Sequence, residues 1–346
     1  MVFFENEHCV KCGEKLGFFP DTLQMETAPA IIPENSPYHY CANKINYDTC
    51  NWMVTGGDGH SFCLACRLND VIPDLSIAGN RERWYKLELA KRRCLYTFLQ
   101  LGLPIEAGEN PGTQPIQFRF LSEGPNLPPV LTGHDNGVIT INIAEADEDE
   151  RERRRLKLHE PYRTLIGHIR HESGHYYWDR IIANSSHLQP FRALFGDETL
   201  DYNEALQRYY KQGPAADWSD RTVTAYASLH PWEDWAETWA HYLHIMDAVE
   251  TAGSFGVALK DSKKTSNPPA TTNPFNASAS GADFDELIAR WLPLTCALNS
   301  INRGMGLPDL YPFILTKPVI EKLRFIHGVI KNVAKQSSSG QVSATN

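Results

Sequence analysis

Residues 170–179 read RHESGHYYWD. His171 and His175 stand four apart, with Glu172 beside the first histidine. Residues at that spacing share one face of an α-helix, so the two imidazoles can address one cation. Glu172, next to the first ligand, can reach a water on that cation. The competing reading of the string is a polar helical face that carries two histidines. A catalytic zinc takes three protein ligands and keeps one position for water, so the first reading requires another ligand elsewhere.

The best source is His230-Pro231-Trp232-Glu233-Asp234-Trp235-Ala236-Glu237-Thr238-Trp239. Pro231 suits the first turn of a helix reaching to about residue 249. Glu233 and Glu237 then share a face. One can bind the metal while the other accepts a hydrogen bond from the far nitrogen of a ligand histidine and sets its tautomer. The aromatic residues would pack this helix into the core and leave the carboxylates needing a partner. A solvated acidic face, or ion pairs to arginine, is the alternative. Asp179 lies four residues past His175 and can bond that histidine or form a surface ion pair.

The 346 residues are 42% hydrophobic and 22% charged, as in a soluble globular protein with one large and one small domain. The net charge of −9 argues against nucleic acid as the main partner. No apolar run approaches a membrane span, and the start, MVFFENEHCV, lacks the basic and apolar regions of a secretory signal. A cytoplasmic location is the expectation. Six of the eight cysteines fall in the first 66 residues: Cys9, Cys12, Cys41, Cys50, Cys63 and Cys66. Without a secretion signal, their CxxC spacing suggests metal rather than disulfides. Cys94 and Cys296 read as buried free thiols.

Along the chain, residues 1–75 are loop-rich, with knuckles at Cys9–Cys12 and Cys63–Cys66. Periodicity predicts a helix from Asn80 to Leu101, capped by Asn80, with Arg81, Arg83, Lys86, Lys91, Arg92 and Arg93 on a solvated face. Two β-type runs follow, IQFRF (116–120) and VITINI (138–143). The second is read either as an edge strand that pairs with an extended peptide or as an ordinary core strand. EADEDERERRR (145–155) reads as an exposed turn entering a helix. The HExxH helix is expected over about 161–183, started by Pro161. Residues 262–282, rich in Ser, Thr, Pro and Asn, read as a flexible loop, and 331–346 as a disordered tail. There is no internal repeat.

With HExxH on one helix and a carboxylate pair on a later one, the sequence resembles the gluzincins. In that clan the ligand Glu is commonly followed four residues on by an acidic residue that supports the site. Glu233 with Glu237 matches, and the resemblance favours Glu233 as the ligand. In lethal-factor-type members a Tyr seven residues before the ligand Glu assists catalysis, and Tyr226 has that offset (233 − 226 = 7). A closer resemblance, over nearly the whole chain, is to a family of bacterial-type zinc-binding metallopeptidases with an N-terminal zinc ribbon. It rests on FFENEHCVKCGEKLGF (3–18), CNWMV (50–54), CRLNDVIPDL (66–75), AKRRCLYTFLQLGLP (90–104), GVITINIAEAD (137–147), HESGHYYWD (171–179) and MGLPDLYPFILTKPVIEKLRFIH (305–327).

The resemblance implies an α+β protein. A small zinc-ribbon-like domain (1–75) precedes a mainly helical, gluzincin-like peptidase domain with a small sheet (76–330). Relatives usually carry a further CxxC before FFEN, which this sequence lacks. Cys41, Cys50, Cys63 and Cys66 are then the expected ligands of one structural zinc, with Cys9 and Cys12 an incomplete half. Cys9, Cys12, Cys63 and Cys66 form the competing set, and His60 is a weaker substitute. Residues 1–75 hold four Lys/Arg against ten Asp/Glu, net 4 − 10 = −6. This disfavours phosphate binding and leaves the ribbon a packing or protein-docking role.

The implied activity is hydrolysis of a peptide or protein substrate. His171, His175 and Glu233 hold the catalytic zinc, and Glu172 acts as general base. Tyr226, or alternatively His230, stabilises the oxyanion. Glu237 orients His171. The rival readings are a non-catalytic scaffold that docks a partner and a zinc amidase acting on small molecules.

Overall fold

The computed structural model describes residues 4–29, 32–33, 36–57, 59–105, 114–123, 129–158, 162–257 and 284–342. The expected loop at 262–282 and Pro161 lie outside them. The chain forms two compact units, Met1–Gln100 with Pro104–Glu172, and Leu101–Leu103 with Ser173–Asn346. Among the described residues no helix is long and apolar enough to cross a membrane. The architecture is α+β, with mostly helices and small sheets.

In the first unit, β1 (Leu16–Phe19) and β2 (Gln24–Thr27) form an antiparallel hairpin. A second antiparallel pair joins β3 (Tyr38–Tyr40) to β4 (Met53–Thr55), with α1 (Ala42–Tyr47) between them in sequence. The short α2 (Leu64–Arg67) follows. The largest sheet has the order β5 (Asn69–Val71), β6 (Gln117–Leu121), β8 (Val138–Asn142), β7 (Gly133–Asp135). β7 and β8 form a hairpin through Asn136 and Gly137, both at positive φ (47° and 88°), as a two-residue primed turn demands. Alternation buries Phe118 and Phe120 of β6 and Ile139 and Ile141 of β8. β8 is hydrogen-bonded to β6 on one side and β7 on the other. The VITINI run is therefore an interior strand, and the edge-strand reading is corrected.

The long helix α3 (Asn80–Gln100) buries Trp84, Leu87, Leu95 and Phe98. Its first-turn acceptor is Gly79 O, while the Asn80 side chain donates to Asp74 O instead of capping. The solvated basic face needs a larger correction: Lys91 is 0% and Arg92 1% exposed. Lys91 falls within the apolar stripe, four residues after Leu87 and four before Leu95, so the helical period turns it inward.

The acidic-basic run is also different from the expected exposed turn. Its helix, α4 (Glu148–Leu158), begins almost at once. Glu145, in the preceding 3₁₀ turn, is fully buried. It pairs with Arg154, Arg163 and His168 at 3.3, 2.8 and 3.2 Å. Burial alone would raise its pKa, but His168 and Arg163 hold it down at about 2.

Helix α5 (Leu165–Ile181) carries the HExxH string. It starts after Thr164, whose hydroxyl accepts the Gly167 amide at 3.1 Å as a cap does. In the second unit follow α6 (Leu188–Phe195), α7 (Tyr202–Gln212), α8 (Trp218–Arg221) and α9 (Pro231–Ser254). Then come α10 (Phe284–Gly304) and α11 (Lys317–Val342). α9 is the centre of this unit, packed on α6, α10, α11 and the 3₁₀ turn Tyr226–Ser228. It buries Trp235, Trp239, Leu243 and Met246.

A buried ion pair, Lys322 Nζ to Asp234 Oδ2 at 2.5 Å, ties α11 to α9. α11 continues to Val342, so residues 331–342 of the expected tail are helical; Val319, Leu323, Ile326 and Ile330 give it an apolar face. Residues 343–346 lie outside the description. Cys94 is buried but Cys296 is exposed, because it sits on the outer side of α10.

Candidate metal centres

α5 presents His171, Glu172 and His175 together, with one ligand atom of each within 4.8 Å of the others. Glu172 and His175 are buried and His171 half-buried. Gly174, inside the motif, permits an unusually close approach of α9: a Cβ there would lie 2.8 Å from Ala236 Cα. Two indoles of α9 fasten the contact, with Trp235 Nε1 donating to Gly174 O at 2.8 Å and Trp239 Nε1 to Ser173 Oγ at 3.2 Å.

This packing puts Glu233 Oε2 3.5 Å from His175 Nε2. The position of Glu233 follows from the start of α9. His230 is the N-cap, its Nδ1 accepting from the Trp232 amide at 3.2 Å, and Pro231 occupies the first turn. The other ring nitrogen of His230 lies 3.0 Å from Leu200 O. Both nitrogens are thus engaged in holding the chain, which corrects the alternative of His230 as an oxyanion donor. Trp232 lies against the His175 ring at 3.8 Å between centroids.

Tyr202 of α7 was not singled out from the sequence. Its hydroxyl donates to Glu233 Oε1 at 2.7 Å, which orients the carboxylate so that Oε2 turns toward His175. Nothing in the local pattern Asp201-Tyr202-Asn203-Glu204 marks it, since its partner lies 31 residues on. Tyr226 is half-buried beside Tyr202 and Glu233. Burial, then the Glu233 charge and Tyr202, push its pKa far above the usual tyrosine value, so the phenol keeps its proton. Glu237, half-buried a turn along α9, accepts from Thr224 Oγ1 at 2.7 Å. Asp179 is exposed one turn beyond His175.

The donor set suits zinc. With Zn–N and Zn–O bonds of about 2.0–2.2 Å, two ligands of a tetrahedral ion stand roughly 3.3–3.6 Å apart. The 3.5 Å between His175 Nε2 and Glu233 Oε2 is that spacing, and is long for a hydrogen bond.

A second group lies in the first unit. Cys41, Cys50, Cys63 and Cys66 are buried, with all four sulfurs within 4.8 Å of one another. Cys50 Sγ is 3.6 Å from Cys63 Sγ and 3.7 Å from Cys66 Sγ. The edge of a tetrahedron with Zn–S bonds of about 2.3 Å is about 3.8 Å. The Trp52 amide points at Cys50 Sγ and the Cys63 amide at Cys41 Sγ, each at 3.4 Å, as suits thiolates. Burial pushes the Cys63 thiol well up, so holding that sulfur as a buried thiolate requires a cation beside it. Cys9 is half-buried and Cys12 exposed, and neither belongs to the group. His60 is exposed and also outside it. The competing set of Cys9, Cys12, Cys63 and Cys66 is not assembled.

Comparison with known proteins points to zinc binding. Residues 1–77 match a zinc-ribbon domain. Residues 80–329 match a family described as "Putative zinc-binding metallo-peptidase". Uncharacterized proteins of Mycobacterium bovis and of two strains of Mycobacterium tuberculosis are 42% identical over 333 residues, covering 96% of this chain and 92% of theirs. No solved structure matches the chain. From the matched length and the zinc-suited donors, the chain belongs to this zinc-binding metallopeptidase family, with a zinc-ribbon domain preceding the family region.

Proposed function

We propose that the protein is a gluzincin-like peptidase that hydrolyses peptide bonds of a peptide or protein substrate. The observation that carries this reading is the meeting of Glu233 with His175 of the HExxH helix at 3.5 Å. His171, His175 and Glu233 would hold one catalytic zinc. When bound, that ion supplies Lewis acidity toward a water and toward the scissile carbonyl.

The remaining roles belong to the chain. Glu172 takes a proton from the attacking water and returns it to the leaving amine. Tyr226, held protonated, donates a hydrogen bond to the oxyanion. Tyr202 holds Glu233 in its ligand orientation. Glu237 and Asp179 are assigned to orienting the histidines. Cys41, Cys50, Cys63 and Cys66 would hold a second, structural zinc, which leaves no position for water. In this reading the ribbon serves packing or docking of a protein partner, and the protein acts in the cytoplasm.

Metal analysis of the wild type and of His171→Ala tests the ligand set. Two zinc ions per chain are expected to fall to one, and an unchanged count would refute the assignment. Glu172→Gln on a peptide library tests catalysis, with retained metal and lost turnover expected. A chain that binds both ions and cleaves neither peptides nor small amides would favour the scaffold reading.

A further inference from the structure

The buried charges of α3 bear on the four-cysteine group. Glu88, Lys91 and Arg92 are all within 1% of complete burial. Glu88 is committed to Lys91, with Oε1 2.8 Å from Lys91 Nζ. It also accepts from Asn69 Nδ2 at 2.8 Å and Trp84 Nε1 at 3.2 Å. Lys91 is further held by Asn69 Oδ1 and lies over the rings of Phe118 and Phe120. Arg92 is left with a loose contact to Glu88 Oε2 at 3.5 Å. Its Nη1 donates to the carbonyl of Thr49, the residue before Cys50, at 2.8 Å, and its Nε is buried without a hydrogen bond. Among the described residues no other carboxylate pairs with Lys91 or Arg92.

The three groups therefore sum to one uncompensated positive charge in the interior, an arrangement that is expensive unless an anion lies alongside. The anion at hand is sulfur. Burial alone would lower the Arg92 pKa, yet Cys50, Glu88, Cys66 and Cys63 more than offset it. A divalent ion on four thiolates carries 2 − 4 = −2, the complementary sign.

We propose that Arg92 is the built-in counter-charge of the four-thiolate centre. It lowers the cost of burying that anion and steadies the metal, so α3, which lies in the family region, helps set how firmly the ribbon holds its ion. The proposal rests on Cys41, Cys50, Cys63 and Cys66 forming a thiolate metal centre, and not on the peptidase reading.

The test compares Arg92→Met and Arg92→Lys in the full chain. Methionine keeps much of the packing without the charge; lysine keeps the charge without the planar fork. Each protein is loaded with cobalt(II), whose sulfur-to-metal absorption reports four-thiolate ligation separately from a histidine–carboxylate site. A chelator then competes for the ion. The charge role predicts retention weakened roughly ten-fold or more for Arg92→Met and kept within about three-fold for Arg92→Lys. Retention by Arg92→Met equal to or better than Arg92→Lys would overturn it, since a packing role gives that order. If Arg92→Met does not fold, Arg92→Lys decides: wild-type retention supports the proposal and a ten-fold loss overturns it. Absence of the sulfur-to-metal band in wild type would instead refute the thiolate centre itself.

Discussion

Gly174→Ala addresses the contact on which the site geometry depends. The new methyl would sit 2.8 Å from Ala236 Cα and 3.3 Å from both Ala236 Cβ and Ala236 O. The nearest obstacle is backbone, so no rotamer change relieves it. Carbon atoms rest at about 3.5–4.0 Å, so α5 and α9 must part locally by at least about 0.7 Å. Alanine gains about 1 kcal/mol of helix propensity over glycine. Against this stand about 1–3 kcal/mol of overpacking and up to about 1 kcal/mol for each strained indole bond at Gly174 and Ser173. The net is a loss of up to about 4 kcal/mol, about 2 at the middle of the range, or several degrees in Tm for a unit of this size. The same movement would widen the 3.5 Å between His175 Nε2 and Glu233 Oε2 toward about 4 Å, past the span of one tetrahedral ion. Thermal melts with and without added zinc read both effects, because a ligand bound to the native state raises Tm with its affinity. The variant should melt lower and gain less from zinc than the wild type. A variant that melts at or above wild type with an undiminished zinc increment would show that the close approach does not hold the site together.

Three further outcomes follow from buried partners. Tyr202→Phe removes the donor to Glu233 Oε1 and should weaken zinc at the histidine site several-fold, about 1 kcal/mol, while leaving the four-thiolate ion in place; metal counts under chelator distinguish the two. Glu145→Gln should cost about 3 kcal/mol at neutral pH as an upper bound, from a folded pKa of about 2 against 4.5. Because that pKa is depressed, the wild-type advantage is present above about pH 4.5 and lost as pH falls toward 2, so denaturant melts of the two proteins should converge in acid. Lys322→Met leaves Asp234 buried without its cation, a cost of about 3–5 kcal/mol. Burial already raises Asp234 to about 6 even beside Lys322, and losing that cation raises it further, so protonation should shrink the loss as pH falls toward 6, and adding Asp234→Leu should recover part of it.

The residues that periodicity governs were legible in the sequence. His171 and His175 share a face, with Glu172 beside the first, because 3.6 residues make a turn, whatever surrounds the helix. The same arithmetic located α3 and α9, and the Cys63–Cys66 knuckle announced a thiolate site. Applied strictly, it would also have placed Lys91 inside, between Leu87 and Leu95; the expectation that charge seeks water prevailed over the spacing. Glu145 was misread for the same reason, within a run that looks solvated as a whole. Other features carried no local mark. Which cysteines close around one point, which of two carboxylates faces His175, and the bond from Tyr202 to Glu233 join segments tens of residues apart. Such pairings are decided by how helices and loops pack, down to a missing Cβ at Gly174. Spacing along a chain fixes neighbours within a turn or two; contact between distant turns depends on the shapes that meet, and only the tertiary structure contains those.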